Sequence, residues 1–266
     1  MSNPVVDTTD AVCPVCARRG GDYSILVGSY RVLKCADCGL EHTLPVPTND
    51  ELERFYSTYA DIRANPEIVK LNAKRNYECL TRYGINQSSY ILDFGCGNGE
   101  FVEISGNRCF GIELSGRKHG GRVFDDLSKL PIDRFDCITL WGVLEHLNNV
   151  VPTIEDLKQR LKTGGYLAIT TVDAEGPIPY YFKPPEHLTY WTRKAFSRLL
   201  EDRGFQIESV NPYEMCQLSE VYLDRLLSRT PKEYAQKLLT THKQLPRIVT
   251  VPTNEVLVIA TLQASD

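Results

Sequence analysis

The run ILDFGCGNG, Ile91 to Gly99, limits what this chain can fold into more than any other stretch. Its apolar start, opened by Tyr90, reads as a strand buried on both faces, as in a parallel sheet. Gly95, Gly97 and Gly99 follow on alternate positions, where a backbone must turn sharply and come close to a ligand. Glu100-Phe101-Val102-Glu103-Ile104 then reads as the first turns of a helix. Strand, glycine turn and helix make a corner for a nucleoside or nucleotide. The pattern is G-x-G-x-G, and Glu100 stands where a dinucleotide fingerprint needs its last glycine. An acidic residue there disfavours a pyrophosphate. The corner suits a ligand with no phosphate and a positive centre.

A second pattern lies upstream. Cys13-Pro14-Val15-Cys16 and Cys35-Ala36-Asp37-Cys38 are two Cys-x-x-Cys pairs with 18 residues between them, inside the window for a zinc site. Tyr23–Val27 and Tyr30–Lys34 between them are strand-like, with Gly28-Ser29 as the turn. Two knuckles joined by a hairpin make a zinc ribbon. Cys13, Cys16, Cys35 and Cys38 would close a tetrahedron and leave no open position, so the metal is expected to be structural. The total of 9 cysteines is odd, which fits poorly with a fully paired disulfide framework.

Of the 266 residues, 42% are hydrophobic and 24% charged, which is enough chain for one large domain and a small one. The net charge of -4 argues against a general nucleic-acid or membrane binder. The first 12 residues lack a signal-peptide pattern and no apolar run is long enough to span a membrane. These features predict a soluble, cytoplasmic protein. The expected organisation is a tail at 1–12, the ribbon at 13–47, a helical linker or lid at 48–86 and the main domain at 87–266. Thr48-x-x-Glu51 is a capping box for a helix at about 49–60, with Phe55, Tyr56 and Tyr59 as a packing stripe or an aromatic lid. Asn65-Pro66 opens a second helix to about Tyr83.

Short strands are expected at Cys109–Glu113, Arg122–Phe124 and Phe135–Leu140. A helix at about 150–162 ends at Gly164-Gly165, before a strand from Tyr166 to Thr171. A long aromatic loop over 173–191 precedes a helix capped by Thr192 and ended by Gly204. Strands are expected from Phe205 to Val210 and from Glu255 to Leu262, with two helices over 214–243 inside an insertion at about 214–250. Alternating strands and helices predict a doubly wound, mostly parallel α/β sheet whose ligand sits at the carboxyl ends of the strands. Glu113, 14 positions after Gly99, falls at such an end, where a carboxylate can accept both hydroxyls of a ribose.

These residues resemble the class I S-adenosylmethionine-dependent methyltransferases. ILDFGCGNG is similar to the family's first motif and GIELSG to its second. FDCITLWGVLEHLNN with LKTGGYLAITT resembles the fourth- and fifth-strand region. PEHLTYWTRKAFSRLLEDRGF resembles the following stretch in the bacterial type 11 and 23 subgroup, members of which often carry a four-cysteine ribbon. The resemblance implies a Rossmann-like, seven-stranded sheet whose last strand is antiparallel. It implies S-adenosyl-L-methionine as cofactor, with Asp93 near its amino-acid end, the backbone of Gly95, Gly97 and Gly99 passing beneath, and Cys96 among the cofactor-binding residues. It gives Glu113 the ribose, Asp126 the adenine amine, Leu127 the adenine ring and Trp141 the methionine side.

The sulfonium already activates the methyl group, so the protein has mainly to hold the acceptor in line. A hydroxyl acceptor also needs a base, for which His146 and His187 are the candidates. The expected acceptor is a small molecule (a sugar, nucleotide-sugar or secondary metabolite), with Tyr180, Tyr181, Phe182, Tyr190, Trp191, Tyr213 and Tyr222 as the set from which stacking surfaces are drawn, some of them being core. The alternatives are an RNA methyltransferase gripping nucleic acid through its ribbon and a cofactor-binding scaffold without catalysis. Only Arg18, Arg19, Arg31 and Lys34 make the ribbon basic, which weighs against RNA.

Overall fold

The computed structural model describes residues 11–58, 65–113, 121–176, 182–227 and 245–264. Residues 1–10 of the expected tail, the side chain of Tyr56, and Tyr59, Tyr180 and Tyr181 lie outside the described residues, as do residues 228–244 of the 214–250 insertion.

The cysteine lobe carries β1 (Asp22–Val27), β2 (Tyr30–Lys34) and β3 (Glu41–Leu44). Helix α1 (Asn49–Thr58) follows, and its capping box forms as the sequence predicts: Thr48 N–H donates to Glu51 Oε2 at 2.8 Å and Glu51 N–H to Thr48 Oγ1 at 3.3 Å. Helix α2 (Pro66–Thr81) starts where the Asn65 side chain accepts the Glu67 N–H. The main domain then runs β4 (Ile91–Phe94), α3 (Glu100–Ile104), β5 (Cys109–Ile112), β6 (Val123–Phe124) and β7 (Phe135–Trp141). Helix α4 (Val150–Arg160), β8 (Leu161–Val172), β9 (Thr189–Tyr190) and α5 (Arg193–Leu200) come next. The described chain closes with β10 (Phe205–Leu218), α6 (Ser219–Leu227) and β11 (Ile248–Leu262). None of the described helices is long and apolar enough to cross a membrane.

Seven strands form one sheet in the order β10-β11-β8-β7-β4-β5-β6. The pairs from β8 to β6 are parallel, and β11 is antiparallel to both β8 and β10. The parallel centre is apolar because helices cover both faces of such sheets. All four residues of β4 are buried.

Three expectations shift. Strand β8 begins at Leu161, before the glycine pair, because Leu161 already pairs with Phe135. The ladder resumes at Cys137 and Tyr166, so Lys162 to Gly165 are accommodated as a bulge and do not end the helix. Strand β10 continues through Asn211-Pro212 to Leu218, so 214–218 is strand where a helix was expected, and β11 starts at Ile248 rather than Glu255. The tip of this ladder pairs Leu218 with Ile248. Third, the long loop after β8 contains β9, which pairs antiparallel with β3 (Glu41 with Tyr190, His42 with Thr189).

That pairing makes a second sheet, β1-β2-β3-β9, in which the cysteine lobe is completed by a strand of the main chain body. Cys13, Cys35, Cys38 and Leu40 share one apolar core with Trp191, Phe196 and the strands of the large sheet. Trp191 stacks on Phe196 with ring centres 5.0 Å apart. The Thr192 hydroxyl accepts from Ala195 N–H as the cap of α5 and donates to the Cys38 carbonyl. Lys194 donates to the Asp37 carbonyl from the same helix turn.

Candidate active site and cysteine cluster

Asp93 sits in register between Gly111 of β5 and Thr139 of β7. Gly111 has no side chain to oppose it, and the Thr139 hydroxyl donates to Asp93 Oδ1 at 2.7 Å. Burial, with 2% of the residue exposed, pushes the Asp93 carboxyl up to about 7. The Thr139 bond works the other way, and the Glu113 charge adds to the rise.

The glycine turn is braced to the next strand by Gly95 N–H and Cys96 N–H, which both donate to the Ile112 carbonyl. Gly95 has φ +76°, and a Cβ there would lie 2.5 Å from Val143 Cγ2. The turn after β7 therefore rests directly on the glycine turn. Gly97 has φ +55° with nothing within 4 Å of the position its Cβ would take, so a space opens above the backbone. Its N–H donates to Glu113 Oε2 at 2.8 Å. The strand-end carboxylate and the glycine turn are thus locked together beside that space. The Cys96 side chain turns the other way: its sulfur would lie 2.4 Å from a Cβ on Gly111. Only the backbone of Cys96 is available to a ligand.

Asp126 follows β6, whose Phe124 carbonyl accepts the Glu113 N–H, so the two acidic residues lie at one edge. Asp126 is exposed, and its Oδ1 accepts the Ser128 N–H at 2.6 Å, capping the short 3-10 turn that begins at Leu127. The Ser128 hydrogen bonds hold its carboxyl below the usual range. At the end of β7, the Trp141 ring lies 5.5 Å from Phe101 of α3. Its Nε1 is buried with no hydrogen-bond partner among the described residues. The open cradle over Gly97, the carboxylate beside it and this orphaned donor fit an adenosyl cofactor carrying an amino acid.

The turn beyond Val143 carries the candidate bases. Glu145 is buried, accepts from the Thr171 hydroxyl at 2.7 Å and is pushed by burial up to about 7. His146 Nδ1 donates to the Glu186 carbonyl at 2.8 Å, and its ring centre is 5.0 Å from that of His187. Burial lowers both imidazoles, His187 to about 3. Glu255 of β11 is likewise raised to about 7, by burial first and then by Glu145. Sequence reasoning missed Glu255, Thr139 and Thr171, since nothing local marks a strand residue as facing a carboxylate. It also offered Tyr190 and Trp191 as stacking surfaces. The structure corrects this: both are buried, at 1% and 0% exposed, because β9 draws them into the interior. Tyr213 is buried too, its hydroxyl donating to Asn76 on α2.

In the cysteine lobe, Cys13 and Cys38 sulfurs are 3.5 Å apart, as are those of Cys16 and Cys35, and all four thiols are free of disulfides. All four sulfurs lie within 4.8 Å of one another. Four thiolates on one zinc at about 2.3 Å stand roughly 3.8 Å apart, so the cluster fits that ion. The knuckles close with Ala17 N–H on the Cys13 carbonyl and Gly39 N–H on the Cys35 carbonyl. Ala17 adopts φ +57°, the left-handed conformation that Gly39 supplies at no cost in the second knuckle.

The sheet order, the glycine turn and the carboxylate locked to it define a class I S-adenosylmethionine-dependent methyltransferase. The chain matches the type 23 family described as "Methyltransferase domain" over residues 68–210, more than half its length, and belongs to that family. No curated protein matches it. Among solved structures it is similar to the Burkholderia thailandensis 1,6-didemethyltoxoflavin-N1-methyltransferase, with TM-score 0.53 and 16% identity over 92% of this chain and 100% of that one. A chain in the Haloferax volcanii complex of the Trm112 methyltransferase activator gives TM-score 0.53 at 13% identity, over 82% of this chain and 100% of that one. The [4+2]-cyclase SpnF gives 0.51 at 16% identity, over 83% and 99%. At these identities the likeness concerns the fold.

Proposed function

We propose that this methyltransferase acts on a hydroxyl of a small molecule, of the sugar, nucleotide-sugar or secondary-metabolite class. The observation that carries the reading is the seat of the turn after β7. Val143 packs on Gly95, and the adjoining Glu145 and His146 meet His187 in a confined polar cluster next to the cofactor cradle. Such a cluster suits a small polar acceptor. The Burkholderia enzyme, whose structure holds 1,6-didemethyltoxoflavin and S-adenosylhomocysteine, uses the same fold on a small molecule.

S-adenosylmethionine supplies a methyl group already activated on a sulfonium. The chain's part is to bind and align. Glu113 takes the ribose hydroxyls while keeping Gly97 in place. The second carboxylate oxygen of Asp126 takes the adenine amine, with Leu127 against the ring. Trp141 lines the methionine side, and Asp93 supplies negative charge below the amino-acid end. Of the two candidate bases, His146 is better placed, with 27% of its side chain exposed against 5% of residue His187. The bond from Nδ1 to Glu186 leaves Nε2 as the atom that could receive a proton.

Zinc held by Cys13, Cys16, Cys35 and Cys38 fits a structural role, since the lobe shares its core with the catalytic body. That shared core also weighs against the RNA reading, in which the ribbon would be a separate nucleic-acid reader. The test is transfer of a 13C-labelled methyl group into fractionated extract of the source cell. Label is expected in the small-molecule pool with the carbon shift of an O-methyl group. Label confined to RNA would reject the proposal.

A further inference from the structure

We infer that Glu145, His146 and His187 form a second metal site, for a divalent first-row transition ion, apart from the four cysteines. One ligand atom from each residue lies within 4.8 Å of the other two. Two of the three are already oriented as ligands. The Glu186 carbonyl can only accept, so His146 Nδ1 carries the proton and Nε2 the lone pair. Nε2 stands 3.9 Å from Glu145 Oε1, too far for a hydrogen bond. It is about half an ångström beyond the roughly 3.4 Å at which two such ligands share a tetrahedral ion. Glu145 Oε2 is occupied by the Thr171 hydroxyl, which leaves Oε1 as the ligand oxygen. A backbone carbonyl behind the imidazole and a hydroxyl behind the carboxylate are the supports that ligating side chains use.

His187 completes the set from a different element. Its ring meets that of His146 edge-on, at 82°, so the two rings can direct nitrogens to one point. Its backbone is fixed by the Thr43 hydroxyl on its carbonyl at 2.9 Å, and the next residue donates Leu188 N–H to the Glu145 carbonyl at 2.7 Å. Two imidazoles and one carboxylate suit zinc, cobalt, nickel or ferrous iron and not the all-oxygen preference of magnesium or calcium. Three protein ligands leave at least one position open, next to the turn that rests on Gly95. The site stands independently of which acceptor atom is methylated. It does compete with one detail of the proposed function: the Nε2 lone pair cannot hold an ion and take a proton at once.

The experiment is titration of the full chain, with its cysteine cluster loaded with zinc, by Co2+, followed by metal analysis and visible absorption. Expected is a second equivalent of metal with weak d–d bands and no thiolate-to-cobalt charge transfer. His187→Ala and Glu145→Gln should lose that equivalent while keeping the zinc, and Thr171→Val should weaken it about 10–100-fold. A wild-type chain that stops at one metal, a second equivalent with thiolate bands, or one that survives both ligand substitutions overturns the inference. The wild-type titration decides alone if a variant fails to fold. Because it reads metal and not methyl transfer, failure here leaves the methyltransferase assignment untouched.

Discussion

The Thr43 hydroxyl donates to the His187 carbonyl at 2.9 Å across 144 positions of chain. Thr43 N–H also donates to the Leu188 carbonyl at 2.9 Å, and Leu188 N–H to the Glu145 carbonyl at 2.7 Å. A strand of the cysteine lobe therefore holds the segment that in turn holds the Glu145–His146 turn. The lobe is a splint for the Glu145–His146 turn and does not touch the glycine turn through these bonds.

This arrangement makes removal of the proposed zinc a selective lesion. Chelation, or Cys35→Ser, should loosen β3 and with it β9, so that amide exchange at Leu188 and Thr189 rises by an order of magnitude or more. Methyl transfer should fall, while cofactor affinity, which we propose rests on Gly97 and Glu113, should change by less than about threefold. Exchange rates followed by mass spectrometry with and without chelator check this. Unchanged protection at Leu188 would contradict the splint.

Gly95 is required twice over, by its φ of +76° and by the 2.5 Å contact a Cβ would make with Val143. Gly95→Ala should therefore cost about 2–4 kcal/mol of stability, combining backbone strain with overpacking, and abolish measurable cofactor binding. Gly97→Ala, whose Cβ meets open space, should cost only the strain of its left-handed φ, about 1–2 kcal/mol. It should still lose cofactor affinity, because the added methyl fills the cradle. Denaturant unfolding and calorimetric titration on the same two proteins separate these effects.

Glu113→Ala removes the acceptor for Gly97 N–H and the proposed ribose partner together. A hydrogen bond to a charged group contributes about 1.5–3 kcal/mol, so cofactor affinity should weaken roughly 10–150-fold. Glu113→Gln retains a side-chain oxygen for Gly97 and should recover part of that loss. Equal affinity for wild type and Glu113→Ala in calorimetry would remove Glu113 from the cofactor site.

The parts of this architecture that were legible in the sequence are those encoded within a few residues of one another. The glycine turn, the cysteine knuckles and the caps at Thr48, Asn65 and Thr192 all declare themselves locally, and each forms as expected. The strand extension of β10 stayed hidden because Asn211-Pro212 is a turn signal in isolation. Strand β10 is an edge strand, where a proline's missing N–H breaks no ladder on its open side, so the strand runs on. The β3–β9 pairing was hidden for a different reason. It joins two short segments far apart in the chain, and a two-residue strand has no periodicity to read. Tyr190 and Trp191 then follow β9 into the core, so aromatic side chains expected to line a pocket became packing. Asp93 was found by motif, but its environment came only from the register that sets Thr139 beside it.

That environment gives the last prediction its sign. The Asp93 carboxyl is raised from 3.8 to about 7 in the folded protein, chiefly by burial. Between those two values the unfolded carboxyl ionises while the folded one keeps its proton, so folding becomes less favourable as pH rises through the window and levels off above about 7. At 1.36 kcal/mol per unit the shift from 3.8 to about 7 corresponds to roughly 4 kcal/mol in the cofactor-free protein. Asp93→Asn should match wild type near pH 4 and exceed its stability near pH 8, since Asn can still accept from the Thr139 hydroxyl. Cofactor binding should show the opposite dependence. A positive amino-acid end stabilises the ionised carboxylate, so wild-type affinity should climb with pH up to about 7 and then flatten, and binding below that pH should release a proton. In Asp93→Asn the affinity should be lower and its pH dependence gone. Urea unfolding across this pH range, paired with calorimetry in two buffers of different ionisation enthalpy, measures both effects. Stability of Asp93→Asn that runs parallel to wild type at every pH would mean that Asp93 is already ionised in the fold.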